Sequence, residues 1–92
     1  MGAGISKRVA ERVQTCKKGG GTELNLDDCE IYDKMPDKLT SLTSLTRLNV
    51  SHNHLTSLSP NIGRLSRLVA LNFSFNEIDA FPASFLRIKD LQ

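Results

Sequence analysis

Along this chain the apolar positions fall into a register that repeats. Leu45, Leu48, Val50, Asn53, Leu55 and Leu58 recur 23 residues later as Leu68, Leu71, Phe73, Asn76, Ile78 and Phe81. The pattern continues through Ile62 and Leu65 in one unit and through Phe85 and Ile88 in the next, and Leu91 stands where another unit would open. Upstream, Leu24, Leu26, Cys29 and Ile31 precede Leu48, Val50, Asn53 and Leu55 by 24 residues, and Met35, Leu39 and Leu42 restore the 23-residue spacing after one extra residue. Alternation at Leu48 and Val50 has the period of a short strand, whereas the wider spacing that follows fits a helix or 3₁₀ turn that brings the chain back. Each unit then has an apolar side that only stacking on its neighbours can bury. The spacing predicts three units, 22–44, 45–67 and 68–92. The last reads as unfinished, because no polar closing segment follows Leu91.

The residues match L-x-x-L-x-L-x-x-N/C-x-L, and over residues 22–91 the chain resembles the leucine-rich repeat family. Proline after the apolar position, in Met35-Pro36 and Phe81-Pro82, resembles the intracellular 23-residue class that includes Ras suppressor, Shoc-type and plant Ras-group relatives. In Leu58-Ser59-Pro60 the proline is displaced by one position. The resemblance implies an α/β repeat solenoid, a short right-handed array open at its C-terminal end. It also implies a non-enzymatic protein-protein interaction module of cytosolic signalling, with a small GTPase or another signalling protein as partner. The alternative is a fragment, or a structural or regulatory piece of a longer repeat protein without binding of its own. An uncapped last coil predicts end-to-end self-association.

Within that register Asn53 and Asn76 turn inward and satisfy backbone groups where the strand ends, since an unpaired buried group costs about 1–3 kcal/mol. Cys29 holds the same place in the first unit. The residues between the inward leucines face out on the concave side. They are Glu23, Asn25, Asp27 and Asp28, then Arg47, Asn49, Ser51 and His52, then Ala70, Asn72, Ser74 and Phe75. The candidate partner contacts are Asp27, Asp28, Arg47, Asn49, Ser51, His52, Asn72, Ser74 and Phe75. Asn25, Asn49 and Asn72 form one polar column, and Phe75, an exposed aromatic beside His52, is the best anchor.

Residues 1–21 have a different pattern. Ser6 caps a predicted helix that runs to about Lys18, with Val9, Val13 and Cys16 on one face and Lys7, Arg8, Glu11 and Lys18 facing away. Gly19-Gly20-Gly21 ends it. Such a helix caps the edge of the first unit, as stacked repeats require. Met1-Gly2-Ala3-Gly4-Ile5-Ser6 also fits the N-myristoylation pattern, which makes Gly2 a candidate lipidation site. The basic residues that follow supply the second signal a single acyl chain needs, so residues 2–18 are a candidate contact with an anionic membrane.

Composition narrows the remaining readings. At 92 residues, 39% hydrophobic and 24% charged, the chain fits one small domain. Lys7, Arg8, Arg12, Lys17 and Lys18 meet an acidic block of Glu23, Asp27, Asp28, Glu30, Asp33 and Asp37 at the glycines, but the total is only +2. That charge is too small for nucleic-acid binding by the whole domain. No apolar run approaches the roughly 18 residues of a membrane span, and the start lacks a signal-peptide core. The expected location is therefore cytoplasmic, with the inner face of a membrane if Gly2 is acylated. No cofactor is implied. His52 and His54 lack a third ligand at metal spacing, with His54 expected beyond the strand. Cys16 and Cys29 read as buried small side chains. Lys17-Lys18-Gly19 has its lysines on the wrong side of the glycines for a phosphate loop, and no catalytic set shares a surface.

Overall fold

A computed structural model describes residues 6–88 and residue 91. The candidate lipidation site Gly2 lies outside the described residues. Helix α1 spans Lys7–Lys18, and the Ser6 hydroxyl accepts from the Val9 amide at 3.2 Å, which satisfies one of the amides left free at a helix start. Beyond Lys18 the chain turns back through Gly20 and Gly21 at φ +104° and +76°, a region that costs glycine nothing. The Gly21 amide then reaches the Cys16 carbonyl at 2.9 Å. Val9 and Cys16 are buried on the repeat side and Val13 packs beside them.

Three short strands, β1 (Glu23–Asn25), β3 (Arg47–Asn49) and β5 (Ala70–Asn72), pair in parallel in the order β1-β3-β5. Their register aligns Leu24 with Leu48 and Leu71, and Asn25 with Asn49 and Asn72. The 24-residue and then 23-residue offsets of the apolar pattern therefore become strand register. Strands β2 (Tyr32–Lys34) and β4 (His54–Ser57) form a second parallel pair, and Ser57 bridges on to Ala80. This second ladder is absent from the pattern-based expectation, and it moves His54 into a strand rather than beyond one. The extra residue between Ile31 and Met35 appears here as a register shift at Asp33/Lys34, with Asp33 at φ +62°. Turns of 3₁₀ helix at Asp37–Ser41, Ile62–Arg64 and Ala83–Arg87 close the coils on the opposite side. Two of these turns approach so closely that a side chain on Gly63 would overlap Ser84, whose hydroxyl accepts from the Gly63 amide and donates to the Pro60 carbonyl.

The core lies between the strand side and the 3₁₀ side. Leu26, Leu45, Val50, Leu55, Ile62, Leu65 and Leu68 are fully buried, and Leu24 and Leu48 nearly so. In the third coil Leu71, Phe73, Ile78, Phe85 and Leu91 are only partly covered, although Ile88 is buried.

Helix α1 corrects one expectation. Arg8 does not point away from the repeats: its guanidinium donates to the Asp28 carbonyl at 3.1 Å, and Arg12 donates to the Asn25 carbonyl at 2.8 Å. The two carbonyls lie three residues apart along the first coil, so successive turns of α1 are each tied to it. The edge of β1 is thereby covered, which removes an open template for further pairing.

Candidate partner-binding face

The outward side chains of β1, β3 and β5 form rows across the sheet, set by the parallel register. In the first row Glu23, Arg47 and Ala70 stand side by side. Arg47 Nε lies 3.8 Å from Glu23 Oε2, and both side chains are about two-thirds exposed at 65% and 71%. A pair this open adds little stability, so both groups stay available. In the second row Asn25, Asn49 and Asn72 each accept a backbone N–H from two residues ahead, at 2.9, 2.9 and 3.0 Å. These are side-chain turns that end each strand.

Ser51 departs from the expected surface. It is buried, and its hydroxyl sits 2.8 Å from Asp27 Oδ1 and 2.6 Å from Asn49 Oδ1, so it tightens the turn rather than meeting a partner. Ser74, one coil on, makes the matching contact to Asn72 at 2.6 Å and remains exposed. Asp28, His52 and Phe75 follow at φ +53°, +55° and +57°. Asp and His tolerate this left-handed conformation, but a bulky aromatic there is strained by about 1–2 kcal/mol. Phe75 is nonetheless 72% exposed, stacked on the His52 ring with centroids 4.3 Å apart and planes within 9°. His52 Nδ1 in turn lies 2.8 Å from Asp27 Oδ1. An ionised carboxylate only accepts, so that nitrogen carries the proton. Hydrogen bonds from His52 and then Ser51 hold the Asp27 carboxyl below its ordinary range.

Asp27, His52 and Phe75 thus form one ladder over three coils, while Arg47, Asn49 and Asn72 line a cleft of about 750 Å³ between α1 and the sheet. Arg12, on α1, forms a wall of that cleft, which the helical periodicity alone had no means of indicating. A second stack, Tyr32 on His54 at 4.6 Å, was equally unmarked, because it belongs to the ladder that the pattern did not reveal.

The inward residues behave differently from one another. Asn53 accepts from the amides of Cys29 and Ile31, both at 3.0 Å, and donates to the carbonyls of Leu26, Val50 and Ser51. Asn76 accepts from the Leu55 amide and donates to Val50, Phe73 and Ser74 carbonyls. Cys29 is buried but makes only a 3.6 Å contact to the Asp27 carbonyl, since α1 rather than another coil lies on that side. Burial pushes the Cys16 and Cys29 thiols up from their ordinary pKa. Among the described residues no three His, Cys, Asp or Glu side chains gather at metal-binding distance, and no helix is long and apolar enough to cross a membrane.

The Leucine Rich Repeat family model matches residues 44–65, the stretch holding β3, Asn53, β4 and the Ile62–Arg64 turn. Among curated proteins the chain is 41% identical over 75 residues to the rice (Oryza sativa subsp. japonica) receptor protein kinase WSS1, covering 78% of this chain and 8% of that protein. It is 33% identical over 70 residues to mouse (Mus musculus) Ras suppressor protein 1, covering 75% of this chain and 25% of the relative. The chain thus carries a leucine-rich repeat. A third relative, the rat (Rattus norvegicus) volume-regulated anion channel subunit LRRC8D, is 32% identical over 72 residues, or 76% of this chain and 8% of that protein. This leucine-rich repeat chain therefore spans a quarter or less of the length of these relatives. In the repeat, the inward asparagines tie adjacent coils together through buried backbone groups.

Proposed function

We propose that this leucine-rich repeat chain is a non-enzymatic protein-protein interaction module of cytosolic signalling, built from units 22–44, 45–67 and 68–92 behind the cap of residues 1–21. Its partner seats on the concave face, in contact with Arg47, Asn49, His52, Asn72, Ser74 and Phe75. The observation that carries this is Phe75, a strained aromatic that stays 72% exposed although it is held over His52. Ras suppressor protein 1, by its name, acts on Ras, which supports a small GTPase or another signalling protein as the partner class and the intracellular 23-residue class as the subfamily. Because the relatives are longer, the same face also fits one segment of a larger binding surface.

The test is capture from a cell lysate on the immobilised chain, comparing wild type with Phe75→Ala, Arg47→Glu and a Lys17→Glu control on the outer side of α1. Specific partners should fall at least fivefold with the first two variants and persist with the third. Equal capture by all four chains would overturn the reading.

The exposed Lys7, Lys17 and Lys18 of α1 support a membrane tether through an acylated Gly2, weakened because Arg8 and Arg12 are committed to the Asp28 and Asn25 carbonyls of the first coil. The half-covered third coil supports end-to-end self-association. An unchanged intact mass after co-expression with a myristoyltransferase removes the first, and concentration-independent light scattering removes the second.

A further inference from the structure

The concave cleft offers many more hydrogen-bond donors than acceptors. Asn25, Asn49 and Asn72 each spend the side-chain oxygen on the N–H two residues ahead. Only the oxygen of a carboxamide accepts from an N–H, so the turn itself determines which way each amide faces. Three NH₂ groups are left on the open side, with no partner for any of them among the described residues. The register puts them on adjacent strands, about 4.8 Å apart. Arg12 and Arg47 flank this row, and Glu23 is the one carboxylate among the described residues that line the cleft. Asp27 stands at the far end of the strands, already engaged by Ser51 and His52.

We propose that the cleft takes an extended acidic peptide segment of a partner protein, laid across the three strands. Its backbone carbonyls accept from the asparagine amides, and a carboxylate sits against Arg47. The row spans about 10 Å, the reach of roughly three extended residues. Charge complementarity selects this occupant: a basic segment would bring donors to donors and cations to Arg12 and Arg47. The proposal rests on the protein-binding reading above and adds to it the chemistry of the bound segment.

The test is a titration of the ¹⁵N-labelled chain, followed through its side-chain NH₂ signals, with acetyl-(Glu-Ser)₄-amide as probe and the (Lys-Ser)₄ and (Gln-Ser)₄ peptides as controls. The signals of Asn25, Asn49 and Asn72 should move with the acidic probe and stay in place with the basic one. Asn72→Asp keeps the turn acceptor but replaces the NH₂ with an oxygen, and should weaken binding roughly tenfold or more. Its thermal midpoint should stay close to that of wild type. Should that variant fail to fold, Arg47→Gln takes its place with the same expected direction.

Unmoved asparagine signals, equal shifts with the basic probe, or undiminished binding by the variant would overturn the proposal. If lysate partners are still captured and still lost on Arg47→Glu, only the acidic-peptide chemistry fails. If that capture fails as well, the protein-binding reading falls with it.

Discussion

Replacing Asn53 with alanine lowers the unfolding free energy by on the order of 4 kcal/mol, a large part of the 5 kcal/mol or so expected of a domain this small. The reason lies in what the side chain leaves behind. Two buried amides, those of Cys29 and Ile31, lose their acceptor, and three carbonyls lose a donor at a point water does not reach. Asn76→Ala orphans only the Leu55 amide and takes a donor from the Phe73 carbonyl, because the Val50 and Ser74 carbonyls keep Asn53 and the His52 amide, so roughly 1–2 kcal/mol is expected. His52→Ala and His54→Ala, whose rings are exposed, should stay within about 0.5 kcal/mol. Urea midpoints at constant slope decide the order. Histidine variants that destabilise more than Asn53→Ala would mean that the coils are not tied together by the inward asparagine.

Truncating Leu48 is the second large effect. It lies in the middle strand, between Leu24 and Leu71, and is 2% exposed. Removal of a leucine from so enclosed a place costs about 2–5 kcal/mol through lost transfer energy and the cavity that remains. Leu71→Ala, in the same column but half covered, should cost roughly half as much. The pair therefore reads out whether burial falls from the second coil to the third, by the same substitution and the same denaturation curve. Equal losses would contradict the graded core.

Why these leucines and asparagines were legible, and other features were not, follows from their physics. Leu48, Val50 and Asn53 repeat because each coil must bury the same positions against its neighbours, so periodicity and burial coincide. Ser6 was legible for a different reason, since a free helix amide needs an oxygen at one defined place. The β2–β4 ladder was hidden because Tyr32, Asp33 and Lys34 are all exposed, leaving no alternation for a strand to display. Arg8 was read as an outward cation because helical spacing places Cα atoms, whereas a long side chain bends to reach a carbonyl off its own face. Ser51 was assigned to the surface by strand alternation, but the left-handed residue after it curls the chain and draws its hydroxyl under Asp27. In the concave face, the sequence marked the column of Asn25, Asn49 and Asn72. Which atom of each amide stays open depends on the turn, and only the folded chain displays that.

The central claim is that a partner occupies the concave rows rather than the 3₁₀ side or the outer face of the last coil. Hydroxyl-radical footprinting of the chain with and without its captured partner tests this most directly, since aromatic and imidazole side chains label readily and both surfaces carry exposed ones. Phe75 and His52 on the concave rim, with Phe81 and Leu86 on the far side, are the reporters. Binding should protect Phe75 and His52 severalfold and leave Phe81 and Leu86 labelled as in the free chain. Protection of Phe81 and Leu86 with Phe75 unchanged would contradict the claim.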